Sequence, residues 1–157
     1  MDAWNNITKL DLSSNKLTSK AEKILKELII SPSNKKLSHL ILDNNPILDN
    51  SVSEIAEGLG EKYKKISEEN NCNAFCPIDF LSLRKTGIGD EGLKKIVYQL
   101  DYIAANNPLG VDYKNFLSLD LSENDITDYG IKLISKLLPR FNAVSILKLA
   151  NLPYLYF

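Results

Sequence analysis

The sequence holds one histidine, two cysteines and one glycine cluster, and chemistry would have to start from these. His39 and Asp43 lie in "LSHLILDNN", on the same side of an alternating segment. A histidine–aspartate pair supports nucleophilic chemistry only when a hydroxyl or thiol is held within reach of the imidazole. No sequence signal puts a nucleophile there, so His39 reads as a solvated surface side chain and no catalytic residue is assigned. Cys72 and Cys76 form C-x3-C, a spacing within the range of zinc pairs. A structural zinc needs two further ligands, and His39 is the sole imidazole. The thiols therefore read as free, with a small disulfide loop as the alternative. "GIGDEG", Gly87 to Gly92, lacks the lysine of a phosphate-binding loop. Neither a metal nor another cofactor is expected.

The composition is that of a soluble globular chain. Its 157 residues fit a single domain, residues 1–157, with 44% apolar residues and a net charge of -1. A nucleic-acid footprint would ordinarily require a basic excess, so no nucleic-acid partner is expected. No apolar run approaches the ~18 residues of a membrane span. The opening "MDAWNNITKL" has no apolar signal core. The expectation is no membrane partner and a reducing, cytoplasmic compartment. A sequon at Asn6-Ile7-Thr8 would go unused there.

The elements that must position any site repeat along the chain. In "NFLSLDLSENDI", Phe116, Leu119, Leu121, Asn124 and Ile126 stand at offsets 0, 3, 5, 8 and 10. The same offsets select Ile7, Leu10, Leu12, Asn15 and Leu17, then Leu37, Leu40, Leu42, Asn45 and Ile47. They next select Ile78, Leu81, Leu83, Thr86 and Ile88, and a fifth copy begins at Val144. A helical half follows. Offset 14 is small (Ala21, Ser51, Gly92, Gly130), and offset 18 is apolar (Leu25, Ile55, Ile96, Ile134). Offset 22 is apolar again (Ile29, Leu59, Leu100, Leu138) and shares a helix face with offset 18.

This pattern, L-x-x-L-x-L-x-x-N-x-L followed by an amphipathic helix, resembles the leucine-rich repeat, in its long ribonuclease-inhibitor-like class. The resemblance implies an α/β solenoid, a horseshoe arc with a parallel β-sheet on the concave face and helices on the convex face. None of these elements can bury its apolar face alone, and stacking builds one continuous core. The resemblance also implies a ladder in which Asn15, Asn45 and Asn124 bond backbone groups left open by the turns. Thr86 offers fewer bonds there, and Leu152 breaks the ladder in the fifth copy.

The copies begin at 7, 37, 78, 116 and 144, so the second and third exceed the family spacing of at most ~29 residues. The extra residues fall at Gly60 to Pro77 and at Asp101 to Asn115. Their aromatics, Tyr63, Phe75, Tyr102 and Tyr113, fit two readings. They form a binding rim, or they extend the helices and pack back on the solenoid. The concave positions are offsets 2, 4 and 6, with 7 just beyond. Their centre carries Ile41, Phe80 and Arg84, framed by His39, Asp43 and Lys85. An aromatic beside an arginine is common at interface hot spots. Against this, single exposed apolar residues are ordinary.

The chain thus reads as a non-catalytic protein-binding module. Two alternatives share the sequence features: a GTPase-activating module resembling the Ran-activating leucine-rich-repeat family, and a microbial effector delivered to a host cytosol. Trp4 is placed to cover the first repeat. At the other end, "VSILKLANLPYLYF" has no closing helix. Tyr154, Tyr156 and Phe157 fold over it, or the chain continues in a longer protein, or the edge self-associates.

Overall fold

The computed structural model describes residues 6–69, 78–106, 117–137 and 144–153. Five strands alternate with four helices: β1 (Lys9–Asp11), α1 (Glu22–Ile30), β2 (His39–Ile41), α2 (Leu48–Glu69), β3 (Phe80–Ser82), α3 (Asp90–Ala105), β4 (Leu117–Asp120), α4 (Asp128–Leu137) and β5 (Val144–Lys148). The strands form one parallel sheet in chain order, β1-β2-β3-β4-β5. The repeat offsets are also the pairing register. Leu10 lies opposite Leu40, Leu40 opposite Leu81, Leu81 opposite Leu119, and Leu119 opposite Leu147.

The core lies between sheet and helices. Leu40, Leu42, Leu81, Leu83, Leu119 and Leu121 are buried against Leu25, Ile55, Ile96 and Ile134 of the helices. Leu10 and Leu12 are half-buried instead, because β1 is an edge strand with a neighbour on one side.

The asparagine column works as expected at its interior positions. Asn45 Oδ1 accepts the N–H groups of Asn15 and Leu17, both at 3.0 Å. Its Nδ2 donates to the carbonyls of Leu12 and Leu42, both at 2.9 Å. Asn124 does the same one repeat pair along. Its Oδ1 accepts the N–H groups of Thr86 (2.9 Å) and Ile88 (3.1 Å), and its Nδ2 donates to Leu83 and Leu121. Thr86 has no amide to offer the turn of the second repeat. There Pro46 also excludes the left-handed backbone that Lys16 (φ 59°) and Gly87 (φ 73°) adopt at the equivalent position. That turn closes locally: Ile47 N–H donates to Asn45 O at 2.8 Å, and the left-handed residue moves to Leu48.

A second ladder runs between the helix entrances, and the leucine and asparagine columns do not reveal it. Asp49 Oδ1 accepts the Gly89 N–H at 2.7 Å. Asp90 accepts the Thr127 N–H at 3.0 Å through Oδ1 and the Thr127 hydroxyl at 2.6 Å through Oδ2. These aspartates share offset 12, and each reaches the helix entrance of the following repeat. This explains the small residues two positions later. A Cβ on Gly92 would lie 2.5 Å from Asp49 Oδ1, and one on Gly130 would lie 2.4 Å from Asp90 Oδ1.

The longer repeats extend their helices. α2 runs on through Lys62 and Tyr63 to Glu69. Tyr63 packs back, 2% exposed, in a small cluster with Ile103 and Ile66, edge-on to Tyr102 with ring centroids 6.4 Å apart. Tyr102 itself is 44% exposed. Phe75, Tyr113, Cys72, Cys76, Trp4, Tyr154, Tyr156 and Phe157 lie outside the described residues.

Candidate functional site

The leucines at offsets 3 and 5 enter the core, so the side chains between them emerge on the sheet face turned away from the helices. The register lines them up in rows. Lys9, His39, Phe80, Ser118 and Ile146 form one row, and Asp11, Ile41, Ser82, Asp120 and Lys148 the next. Strands about 4.8 Å apart bring row neighbours into side-chain contact.

His39 and Phe80 use that proximity. Their rings stack with centroids 5.7 Å apart and an interplanar angle of 23°. Both are half-buried, as is Ile41. The Ser38 hydroxyl lies 2.8 Å from His39 Nδ1. Asp43 does not complete an acid–base group with it. Asp43 Oδ1 accepts the Ser82 hydroxyl at 2.6 Å and the Arg84 N–H at 3.1 Å. Asp43 is thus a strap between β2 and β3. It also explains why Ser82 is buried on a face where it was expected to be open. Ser122, expected open as well, is buried, and its hydroxyl accepts the Ala150 N–H at 3.1 Å.

Arg84 is engaged rather than free. Its Nε donates to Glu123 Oε1 at 3.0 Å, and Nη2 donates to the same oxygen. Its side chain remains 52% exposed, and the guanidinium has further donors pointing elsewhere. Lys85 is exposed beside it. Lys85 and Glu123 belong to a column at offset 7, with Ser14, Asn44 and Asn151, in which every φ lies between 54° and 60°. The chain turns out of each strand through one left-handed residue. These positions are therefore part of the turn first and of the surface second.

The Arg84 guanidinium, by hydrogen bonding and then by its charge, holds the Glu123 carboxyl below its ordinary value of 4.5. A depressed folded-state pKa contributes stability above the unfolded value and loses it as pH falls through the folded one. The pair is therefore expected to persist into solutions more acidic than pH 4.5. Carboxylate NMR titration should show the Glu123 midpoint rising in Arg84→Ala. An unchanged midpoint would mean that the pair does not form in solution.

On the helix side, α2 and α3 leave an open groove of about 360 Å³, lined by Glu57, Gly60, Glu61, Lys64, Gln99 and Tyr102. Lys26 crosses from α1 to α2, 2.9 Å from Glu61 and 3.1 Å from Glu57. These bonds raise its pKa above the ordinary lysine value. Among the described residues, no three His, Cys, Asp or Glu side chains converge as a metal-holding group. No helix among them is long and apolar enough to cross a membrane.

Comparison with known proteins agrees with this architecture. Residues 5–21, 79–97 and 114–135 match the family model described as Leucine Rich repeat. Those stretches hold the strands and turns of the first, third and fourth copies. No curated protein matches the sequence significantly. Among solved structures, the chain is similar to one titled Leiomodin-1 Actin-Binding Site 2, with a TM-score of 0.64 and 17% identity. The alignment covers 98% of this chain and 72% of that one. At that identity the likeness speaks for the fold. Repeat columns, the asparagine ladder, sheet order and structural likeness converge: the chain has the leucine-rich-repeat fold, with leucine-rich repeats matched at residues 5–21, 79–97 and 114–135.

Proposed function

We propose that residues 1–157 act as one non-catalytic, cytosolic protein-binding unit whose partner lies across the open sheet face. The observation carrying this reading is the His39–Phe80 stack, a half-exposed aromatic platform with Ile41 nearby, on a face where most other side chains are polar or charged. Phe80 is the anchor, with His39 and Ile41 beside it. Arg84 and Lys85 supply the polar margin, and Asp43 holds the strands in place beneath it. A rigid apolar centre with a charged rim is the usual composition of an interface hot spot.

Affinity capture from native lysate would supply the partner, and Phe80→Ala would test the site. Truncating an anchor costs at least ~2 kcal/mol, about thirtyfold in affinity. The melting temperature should change little, because Phe80 is only half-buried. Arg84→Ala should weaken capture as well, and less, because part of its donor set is already given to Glu123. Normal binding by both variants, with binding lost on deleting residues 70–77, would assign the site to the insertion rim.

Two assays separate the neighbouring readings. Faster GTP hydrolysis by any of a panel of small GTPases would overturn the non-catalytic assignment. Leiomodin-1's printed title names actin, so co-sedimentation with actin filaments is a reasonable first partner assay. The shared fold supplies no residue-level argument for that partner. A host protein as partner would leave the face and its residues unchanged.

A further inference from the structure

The two edges of the sheet are complementary to each other. β1 pairs with β2 alone and β5 with β4 alone among the described residues. At both edges the core-facing leucines stay half-buried: Leu10 on β1 and Leu12 just after it, Leu147 on β5 and Leu149 just after it. We infer that β5 of one copy adds to β1 of a second copy, in parallel and in the repeat's own register, so that the chain associates head to tail.

Three observations carry this beyond a general statement about open edges. The first is the ladder. Asn45 and Asn124 each use Oδ1 to accept two backbone N–H groups from the turn of the preceding repeat. Asn15 occupies the same column, is exposed, and donates from Nδ2 to Ser13 O at 3.1 Å. Among the described residues its Oδ1 accepts nothing. By the geometry of Asn45 and Asn124, that oxygen would serve the turn of a preceding strand, and β5 of another copy would bring a turn there.

The second is backbone parity. Inside the sheet, the N–H at offset 5 donates to the carbonyl at offset 4 of the next strand, as Leu12 does to Ile41 and Leu42 to Ser82. Directly after β5 that donor is Leu149, and on β1 that acceptor is Asp11. Asp11 O and Leu149 N both point away from the internal neighbours and are unpaired among the described residues, because Leu12 N and Lys148 O make the inward bonds.

The third is charge. The offset-4 row reads Asp120, Lys148 at the β5 end, with Lys148 Nζ 3.7 Å from Asp120 Oδ2. Continuing the row into a second copy places Asp11 next, so the joint sets a lysine between two aspartates. The contact is heterologous and leaves a free edge at each end, so growth should continue past the dimer.

The test is sedimentation velocity on the full chain over a wide concentration range. Mass should rise with concentration beyond that of a dimer. Asp11→Lys or Lys148→Asp sets like charges opposite each other at every joint and should weaken association about tenfold. An equimolar mixture of the two variants restores an opposite pair at every joint between unlike copies and should recover association at a total concentration where neither variant associates alone. A monomer at all concentrations overturns the proposal. So does association that stops at a dimer, and so does a mixture no better than its components. An edge that stays monomeric yet binds a foreign extended peptide would also overturn it.

Discussion

Asn124→Ala is expected to lower the unfolding free energy by about 3–5 kcal/mol, and Asn15→Ala by less than about 1 kcal/mol. The two residues hold the same column and differ in what surrounds them. Asn124 is 1% exposed. Its amide is the partner of the Thr86 and Ile88 N–H groups, the Thr86 hydroxyl, and the Leu83 and Leu121 carbonyls. Alanine removes all of these bonds at once and leaves buried backbone groups without water. Each stranded group costs about 1–3 kcal/mol, and partial relaxation keeps the sum below simple addition. Asn15 is exposed, and its one donated bond can pass to water. Asn45→Ala should fall between the two, since it serves a turn at the edge of the stack. Equal losses at Asn15 and Asn124 in denaturant titrations would refute the ladder as a source of stability.

Leu81→Ala is expected to cost about 3–5 kcal/mol, and Leu10→Ala about half as much. Leu81 has no exposed surface and sits in the middle strand, with Leu40 on one side in register and Leu119 on the other. Neighbours on both sides and helices above keep the cavity from collapsing, so the transfer and cavity terms both apply. Leu10 occupies the same offset at the edge, where one side is already open. The gradient is the test. Equal losses at the two positions would show that the edge is covered in solution, by the chain or by another copy. High dilution would distinguish the two, because only a second copy is lost on dilution.

The sequence by itself determined what belongs to a single repeat. Strand before helix, the leucines that enter the core, the asparagines of the turn column and the apolar helix columns all follow from fixed offsets. A side chain at a given offset meets the same local geometry in every copy, so these positions could be named from spacing alone. The same translation aligns His39 with Phe80, and Ile41 with Ser82, from sequence offsets alone.

What lies between repeats needed the tertiary structure. The offset-12 aspartates keep the repeat spacing, but nothing in that spacing shows that Asp49 and Asp90 reach forward to the next helix entrance and require the glycines behind it. Arg84 read as a free anchor, and the structure gives it to Glu123; whether two exposed charges meet depends on rotamer and neighbour, which periodicity does not encode. Tyr63 and Tyr102 looked alike in sequence. One is buried and the other open, because the lengthened α2 and α3 turn them toward different surroundings. Leu10 and Leu40 are identical in pattern and differ in burial by their place in the stack. An offset specifies the direction of a side chain, and only the neighbours in space decide what it meets there.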